Sequence, residues 1–184
     1  MTYNYEDFWK LEGKKPVGRK EQRFKDHALI LPFYLDDLEF KSVLEIGPGD
    51  GRITELILDN YVINEYDAID ISEDRLNMLR KNCPSVQAKK CNIIDETITK
   101  KYDLVISVEC LLHIKPEHIE QVIKKMVDSS NKYIVNIDFF PKEPIKMAFY
   151  NFIHDYESIY KKLGLKLRKR RINDEVLYIA EKSS

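Results

Sequence analysis

From about residue 41 onward, apolar positions follow two alternating rhythms. Val43, Leu44 and Ile46, then "YDLVISV" from Tyr102 and "KYIVNIDFF" from Lys132, form near-continuous runs like those of strands buried on both faces. "YDAID", ending at Asp70, and "SVQAK", from Ser85, read as shorter strands. Between them the spacing turns helical: Ile53, Leu56 and Ile57; then Ile119, Val122, Ile123 and Met126; then Tyr156, Ile159, Tyr160 and Leu163. In "SEDRLNMLRKN", Ser72 is placed to cap a helix whose first turn carries Glu73 and Asp74. Gly164 stands where a C-terminal cap belongs. The final pair, "LKLRKRR" and "DEVLYIAEK", is separated by Ile172 and Asn173 and reads as a hairpin.

Five strands alternating with helices, then two joined by a short turn, predict an α/β fold. Its sheet is doubly wound and mostly parallel, with right-handed crossovers covering both faces. The hairpin requires one antiparallel strand. The first 40 residues stand outside this pattern: "FWKLEGKKPVGRK" reads as a loop, and "KEQRFKDHALILPFYLDDL" as a helix ending at Pro32.

Composition narrows the reading. At 184 residues, 43% hydrophobic and 33% charged, the chain suits one globular domain, and its net charge of −1 gives no whole-molecule field toward nucleic acid or membrane. "MTYNYEDFWK" lacks the regions of a signal peptide. The longest apolar stretch, Ala28 to Leu35, is too short to span a bilayer. Cys83, Cys91 and Cys110 form no Cys-x-x-Cys pair, so reduced thiols in the cytoplasm and no metal site are expected.

The chemistry concentrates in "VLEIGPGDGRIT", residues 43 to 54. A strand running into three glycines and then a helix N-terminus suits a polar or anionic ligand. In an open parallel sheet, ligands sit at the carboxyl ends of the strands beside the switch point. Asp70, nineteen residues past Gly51, ends the second strand there and can accept hydrogen bonds from both hydroxyls of a ribose. Glycines plus acid fit NAD and S-adenosylmethionine alike. The spacing G-x-G-x-G, with Arg52 where a dinucleotide fingerprint has Gly or Ala, favours the second. Glu45 does too: it is poorly placed for a pyrophosphate and well placed for a cationic amino group.

"VLEIGPGDGRIT", "AIDIS" and "YDLVISVECLLHI", in this order, resemble three motifs of the class I S-adenosylmethionine-dependent methyltransferases, and the likeness runs from about Lys41 to Glu181. It implies a Rossmann-like sheet of seven strands in the order 3-2-1-4-5-7-6, strand seven antiparallel, over residues 41–184. Residues 1–40 would form an N-terminal helical cap. Gly47, Gly49 and Gly51 would run beside the methionine portion of the cofactor, and Glu45 would hold its amino group. Asp70 would bind the ribose, Ile71 and Ile93 would lie at the adenine, and Val108 near the methyl donor. Asn92 stands where the family often has an adenine-binding acid, with Asp95 three residues on.

His113 and Glu109 follow the fourth strand and are the candidate catalytic residues, should the acceptor need a base. Each also has a purely structural reading. His154 fits a helix cap or the acceptor pocket, and His27 and His118 read as surface or packing residues. Phe139, Phe140, Phe149, Tyr150 and Phe152 form an expected wall of the acceptor pocket, with Tyr5 and Trp9 closing the opposite side. Residues 10–25 hold seven Lys or Arg against two Glu, and residues 161–171 hold seven with no acid. The second cluster equally fits an edge strand guarded against pairing. A small-molecule acceptor, methylated on oxygen or nitrogen, is the leading reading. Transfer to RNA or protein, a non-catalytic cofactor-binding module and an NAD-dependent reductase are the alternatives.

Overall fold

A computed structural model of the chain describes residues 4–15, 22–143 and 146–182. Seven strands form one sheet: β1 (Ser42–Ile46), β2 (Glu65–Asp70), β3 (Gln87–Lys90), β4 (Tyr102–Val108), β5 (Ser130–Phe139), β6 (Lys166–Ile172) and β7 (Glu175–Glu181). Their order is β3-β2-β1-β4-β5-β7-β6, with β7 antiparallel to both neighbours and the rest parallel, as expected from the sequence.

Among the described residues, six helices flank the sheet: α1 (Tyr5–Glu12), α2 (Gln22–Leu35), α3 (Arg52–Asn60), α4 (Glu73–Asn82), α5 (Pro116–Asp128) and α6 (Tyr156–Lys162). A short 3-10 helix spans Leu111–His113. Strand alternation divides the core in two. Val43, Leu104, Ile106 and Ile179 pack with residues of α2, α3 and α4. Leu44, Val105, Ile134 and Tyr178 pack on the other face with Ile119, Ile123, Tyr156 and Tyr160 of α5 and α6. Ser72 caps α4 by accepting from the Arg75 N–H at 3.4 Å.

Four expectations are corrected. First, residues 8–12 of the expected loop belong to helix α1, capped by Asn4, which accepts from the Asp7 N–H at 3.1 Å. Second, α2 continues through Pro32 to Leu35. A proline inside a helix costs about 3 kcal/mol. Leu31 and Leu35 flank it at 0% and 1% exposure, and burying two leucines returns about 3–6 kcal/mol, so burial wins. Third, β3 runs to β4 through turns without a helix. Fourth, the hairpin turn is Asn173–Asp174, because Ile172 still pairs with Glu175; Asn173 takes φ 55°.

Candidate active site

The C-terminal ends of β1, β2 and β4 open into a cavity of about 510 Å³. β1 is buried on both faces and ends at Ile46, and the chain turns at once through Gly47, with φ 70°, and Gly49, with φ 60°. A Cβ on Gly47 would stand 2.3 Å from Cys110 Sγ, so the β1 and β4 loops touch only because that position is glycine. A Cβ on Gly49 would meet nothing within 4 Å; the space above that backbone is open. Gly51 is the N-cap of α3.

Glu45, Asp70 and Asn92 line the cavity with distinct partners. Glu45 is 2% exposed and its Oε2 accepts from Thr54 Oγ1 at 2.5 Å and Tyr66 OH at 2.7 Å. Burial pushes its pKa up, against the pull of those two bonds and of Arg52. Asp70 Oδ1 accepts from the Ser72 N–H at 2.8 Å, and burial pushes the carboxyl up to about 6. Asn92 and Ile93 line the cavity beside Ile71. The Asn92 amide holds the turn after β3: Oδ1 accepts from the Ile94 N–H at 3.1 Å and Nδ2 donates to Asp95 Oδ2 at 2.6 Å. Asp95 is exposed and lies outside the lining.

Past Val108, which is buried at the end of β4, Glu109 takes φ 53° while its N–H donates to the Ile137 carbonyl at 2.8 Å. Its Oε2 receives Arg52 Nη2 at 3.1 Å. His113 Nδ1 lies 3.2 Å from the Tyr150 carbonyl. A carbonyl only accepts, so Nδ1 carries the proton and Nε2 the lone pair. Burial lowers the His113 pKa to about 4, against the pull of Tyr150 and Asn151, so the ring is neutral near pH 7.

The aromatic wall differs from expectation. Tyr150 reaches the cavity, whereas Phe140 packs into the α5–α6 core and Phe149 is 66% exposed. Tyr5 and Trp9 do not close an opposite side. The Trp9 ring meets His113 edge-on at 4.7 Å, and Phe8, which the sequence did not single out, lies 4.5 Å from Tyr150. α1 spans the cavity because it is pinned at both ends. The Lys115 N–H donates to Tyr5 OH at 2.7 Å, and Arg75 Nη2 donates to the Glu12 carbonyl at 3.2 Å. His154 is structural: it is 3% exposed, donates from Nε2 to the Ile114 carbonyl at 2.9 Å, and stands outside the cavity. His27 is fully buried rather than at the surface. Among the described residues, the grouping with metal-type donors is His27, Glu109 and Glu175. The Arg52 guanidinium is bonded to two of the three, so a cation already organises it.

A family model described as a methyltransferase domain matches residues 43–132, from β1 through the start of β5. Methyltransferase 235L of Invertebrate iridescent virus 6 is 32% identical over 107 residues, covering 55% of this chain and 40% of that protein. An uncharacterized methyltransferase of Staphylococcus carnosus is 23% identical over 185 aligned positions, covering 86% of this chain and 88% of its own. The crystal structure of magnesium protoporphyrin IX methyltransferase from Synechocystis PCC 6803, with bound SAH, superposes with TM-score 0.69 at 16% identity, covering 98% of this chain and 96% of that one. Residues 43–132 thus resemble a methyltransferase domain, and the sheet order and the superposition give the chain the fold of the class I S-adenosylmethionine-dependent methyltransferases. The chain spans about 40% of the length of the viral relative.

The residues lining this cavity fit S-adenosylmethionine. The open space over Gly49, the Asp70 carboxylate at the end of β2, and apolar Ile71 and Ile93 beside it give one cavity a polar run and an apolar slot. Sequence reasoning missed Phe8 and Glu12 as lining residues, and it weighed Arg52 only as a departure from a dinucleotide fingerprint. The helical spacing of Tyr5, Phe8, Trp9 and Glu12 is the signal that would have found the first two.

Proposed function

We propose that this protein transfers a methyl group from S-adenosylmethionine to an oxygen or nitrogen of a small molecule. The supporting observation is a single cavity in which the glycine loop, Asp70 and Val108 are continuous with a chamber of Trp9, His113 and Tyr150. Residues 41–184 act as the transferring core, with residues 1–40 as its cap.

The cofactor supplies a methyl group already activated on a sulfonium, so transfer is an in-line displacement and the protein contributes alignment. Asp70 binds the ribose hydroxyls, and Glu45 accepts from the amino group. Gly47, Gly49 and Gly51 let the backbone run beside the methionine portion. Ile71 and Ile93 hold the adenine, Val108 borders the methyl, and Asn92 orients the loop after β3. His113 has the tautomer and charge for a base, with the lone pair on Nε2 and the ring neutral. When the acceptor is a hydroxyl, His113 takes its proton as the new bond forms. Glu109 is the second group at that end and accepts a hydrogen bond from the acceptor.

A small acceptor is favoured because α1 lies across the chamber, pinned at Tyr5 and Glu12. The Synechocystis relative, by its name, also acts on a small molecule. The basic run of β6 favours an edge guard over a nucleic-acid surface: Lys169 pairs with Glu157, Arg171 donates to the Phe140 carbonyl at 2.6 Å, and Lys166 lies 3.7 Å from Glu181. Residues 16–21 of the other basic cluster lie outside the described residues. The free thiols of Cys83, Cys91 and Cys110 support a cytoplasmic setting. Among the described residues no helix is long and apolar enough to cross a membrane.

Calorimetry with S-adenosylmethionine, S-adenosylhomocysteine and NAD tests the cofactor. Methyl-labelled cofactor offered with small hydroxyl and amine acceptors, and with RNA and protein, tests the acceptor. Equal or tighter NAD binding overturns the reading. Label carried only to RNA or protein replaces the small-molecule acceptor.

A further inference from the structure

His27 on α2 is fully buried, and both ring nitrogens are engaged by residues distant in sequence. Nε2 lies 2.6 Å from Glu175 Oε2 at the start of β7, and Nδ1 lies 2.9 Å from Arg52 Nη1 at the start of α3. Arg52 only donates and a carboxylate only accepts, so the ring carries its proton on Nε2 and its lone pair on Nδ1. Arg52 Nη2 then donates to Glu109 Oε2 at 3.1 Å, and the guanidinium lies 3.9 Å from the centre of the Phe24 ring. Four groups from α2, α3, β7 and the loop after β4 thus form one chain of matched bonds with a carboxylate at each end.

A network of this kind is a poor way to hold a fold together. Desolvating charged groups is expensive, and well-packed apolar residues often do as well or better. It does deliver a fixed orientation. Glu109, a non-glycine residue at φ 53°, leaves β4 beside Val108 and faces the cavity with its side chain 17% exposed. A carboxylate offers about four lone-pair sites, so the bond from Arg52 does not exhaust it. We propose that Arg52, His27 and Glu175 are positioning residues that hold the Glu109 carboxylate at the transfer end of the cavity, giving the cationic sulfonium a negative neighbour. The assignment rests on the cofactor reading above.

The test pairs crystal structures with calorimetry. His27→Leu removes both bonds while keeping an apolar side chain. His27→Gln restores the polarity, since its amide accepts from Arg52 and donates to Glu175. Arg52→Met breaks the link at a position 18% exposed rather than fully buried, should the His27→Leu protein fail to fold. In His27→Leu and Arg52→Met the Glu109 carboxylate is expected to leave its place, and in His27→Gln to return to it. S-adenosylmethionine is cationic at sulfur and S-adenosylhomocysteine is neutral, so the ratio of their affinities reads the charge at that point. Glu109→Gln should shift the ratio about threefold to tenfold against the cation. His27→Leu should shift it the same way and His27→Gln should restore it, whereas loss of packing would weaken both ligands alike. A Glu109 carboxylate unmoved in both His27→Leu and Arg52→Met overturns the proposal, as does an unchanged ratio in Glu109→Gln. If the wild-type protein binds neither ligand, the cofactor reading falls, and the crystal structures alone decide whether the relay holds Glu109.

Discussion

His113 donates its Nδ1 proton to the Tyr150 carbonyl across 3.2 Å, and this bond leaves the ring's lone pair on Nε2. The two residues come from the 3-10 helix after β4 and from the connection after β5. The ring is therefore oriented by a segment that itself lines the chamber.

His113→Gln should lower turnover of a hydroxyl acceptor by about 10²- to 10⁴-fold while leaving cofactor affinity nearly unchanged. If the ring is only structural, the melting temperature falls instead and turnover tracks the folded fraction. The ring also makes a pH-dependent contribution to stability. Burial lowers its pKa from 6.5 to about 4, so the unfolded chain binds the proton more readily. Stability from this residue is full above about pH 6.5 and declines as pH falls toward about 4. Urea unfolding across that window, with His113→Gln as control, measures the difference.

Asp70 shifts the other way. Burial raises its carboxyl from 3.8 to about 6, so its contribution to the unliganded fold is full below the first value and lost as pH rises through the second. In the proposed role the ionised form, costly without ligand, is the one that would accept from two ribose hydroxyls. S-adenosylhomocysteine affinity should therefore fall about tenfold from pH 7 to pH 5. Asp70→Asn should flatten that dependence, and Asp70→Ala should weaken binding by about 1.5–3 kcal/mol at neutral pH. Calorimetry at the two pH values checks all three.

Gly47→Ala and Gly49→Ala should separate stability from binding. Both demand a left-handed backbone, which costs a side-chain-bearing residue about 1 kcal/mol or more. The new methyl at 47 also collides with Cys110, whereas at 49 it enters open space. Gly47→Ala is expected to show the larger loss of melting temperature. Gly49→Ala is expected to keep most of its stability and lose cofactor affinity, because its methyl occupies ligand space. Equal thermal losses with unchanged affinity would remove Gly49 from the cofactor path.

RNA binding should be weak and should fade between low and physiological salt, as for a few exposed lysines and arginines contacting phosphates. Filter binding or fluorescence anisotropy at two salt concentrations reads this directly. Tight, saturable binding at physiological salt would move the acceptor from small molecule to RNA.

The alternating periodicities from Val43 to Ala180, the capping roles of Ser72 and Gly164, and the G-x-G-x-G loop with Asp70 nineteen residues on were legible in the sequence. These are local signals: a buried strand needs consecutive apolar residues, a helix face needs spacing of three and four, and a tight turn needs glycine. The same signals placed Gly47, Gly49, Gly51, Asp70, Ile71 and Val108 at one end of the sheet. Where a local rule met a long-range contact, the contact won. Pro32 marks a helix end, yet Leu31 and Leu35 are worth more buried in the α2 side of the core than the proline costs. The sides taken by Tyr5 and Trp9, and the engagement of Asn92 with its own turn, were likewise settled only in three dimensions. His27 shows why most plainly. It lies 148 residues from Glu175, and no periodicity or spacing encodes that encounter. Only packing α2 against the first residue of β7 brings the two within 2.6 Å and makes a buried histidine part of the path to Glu109.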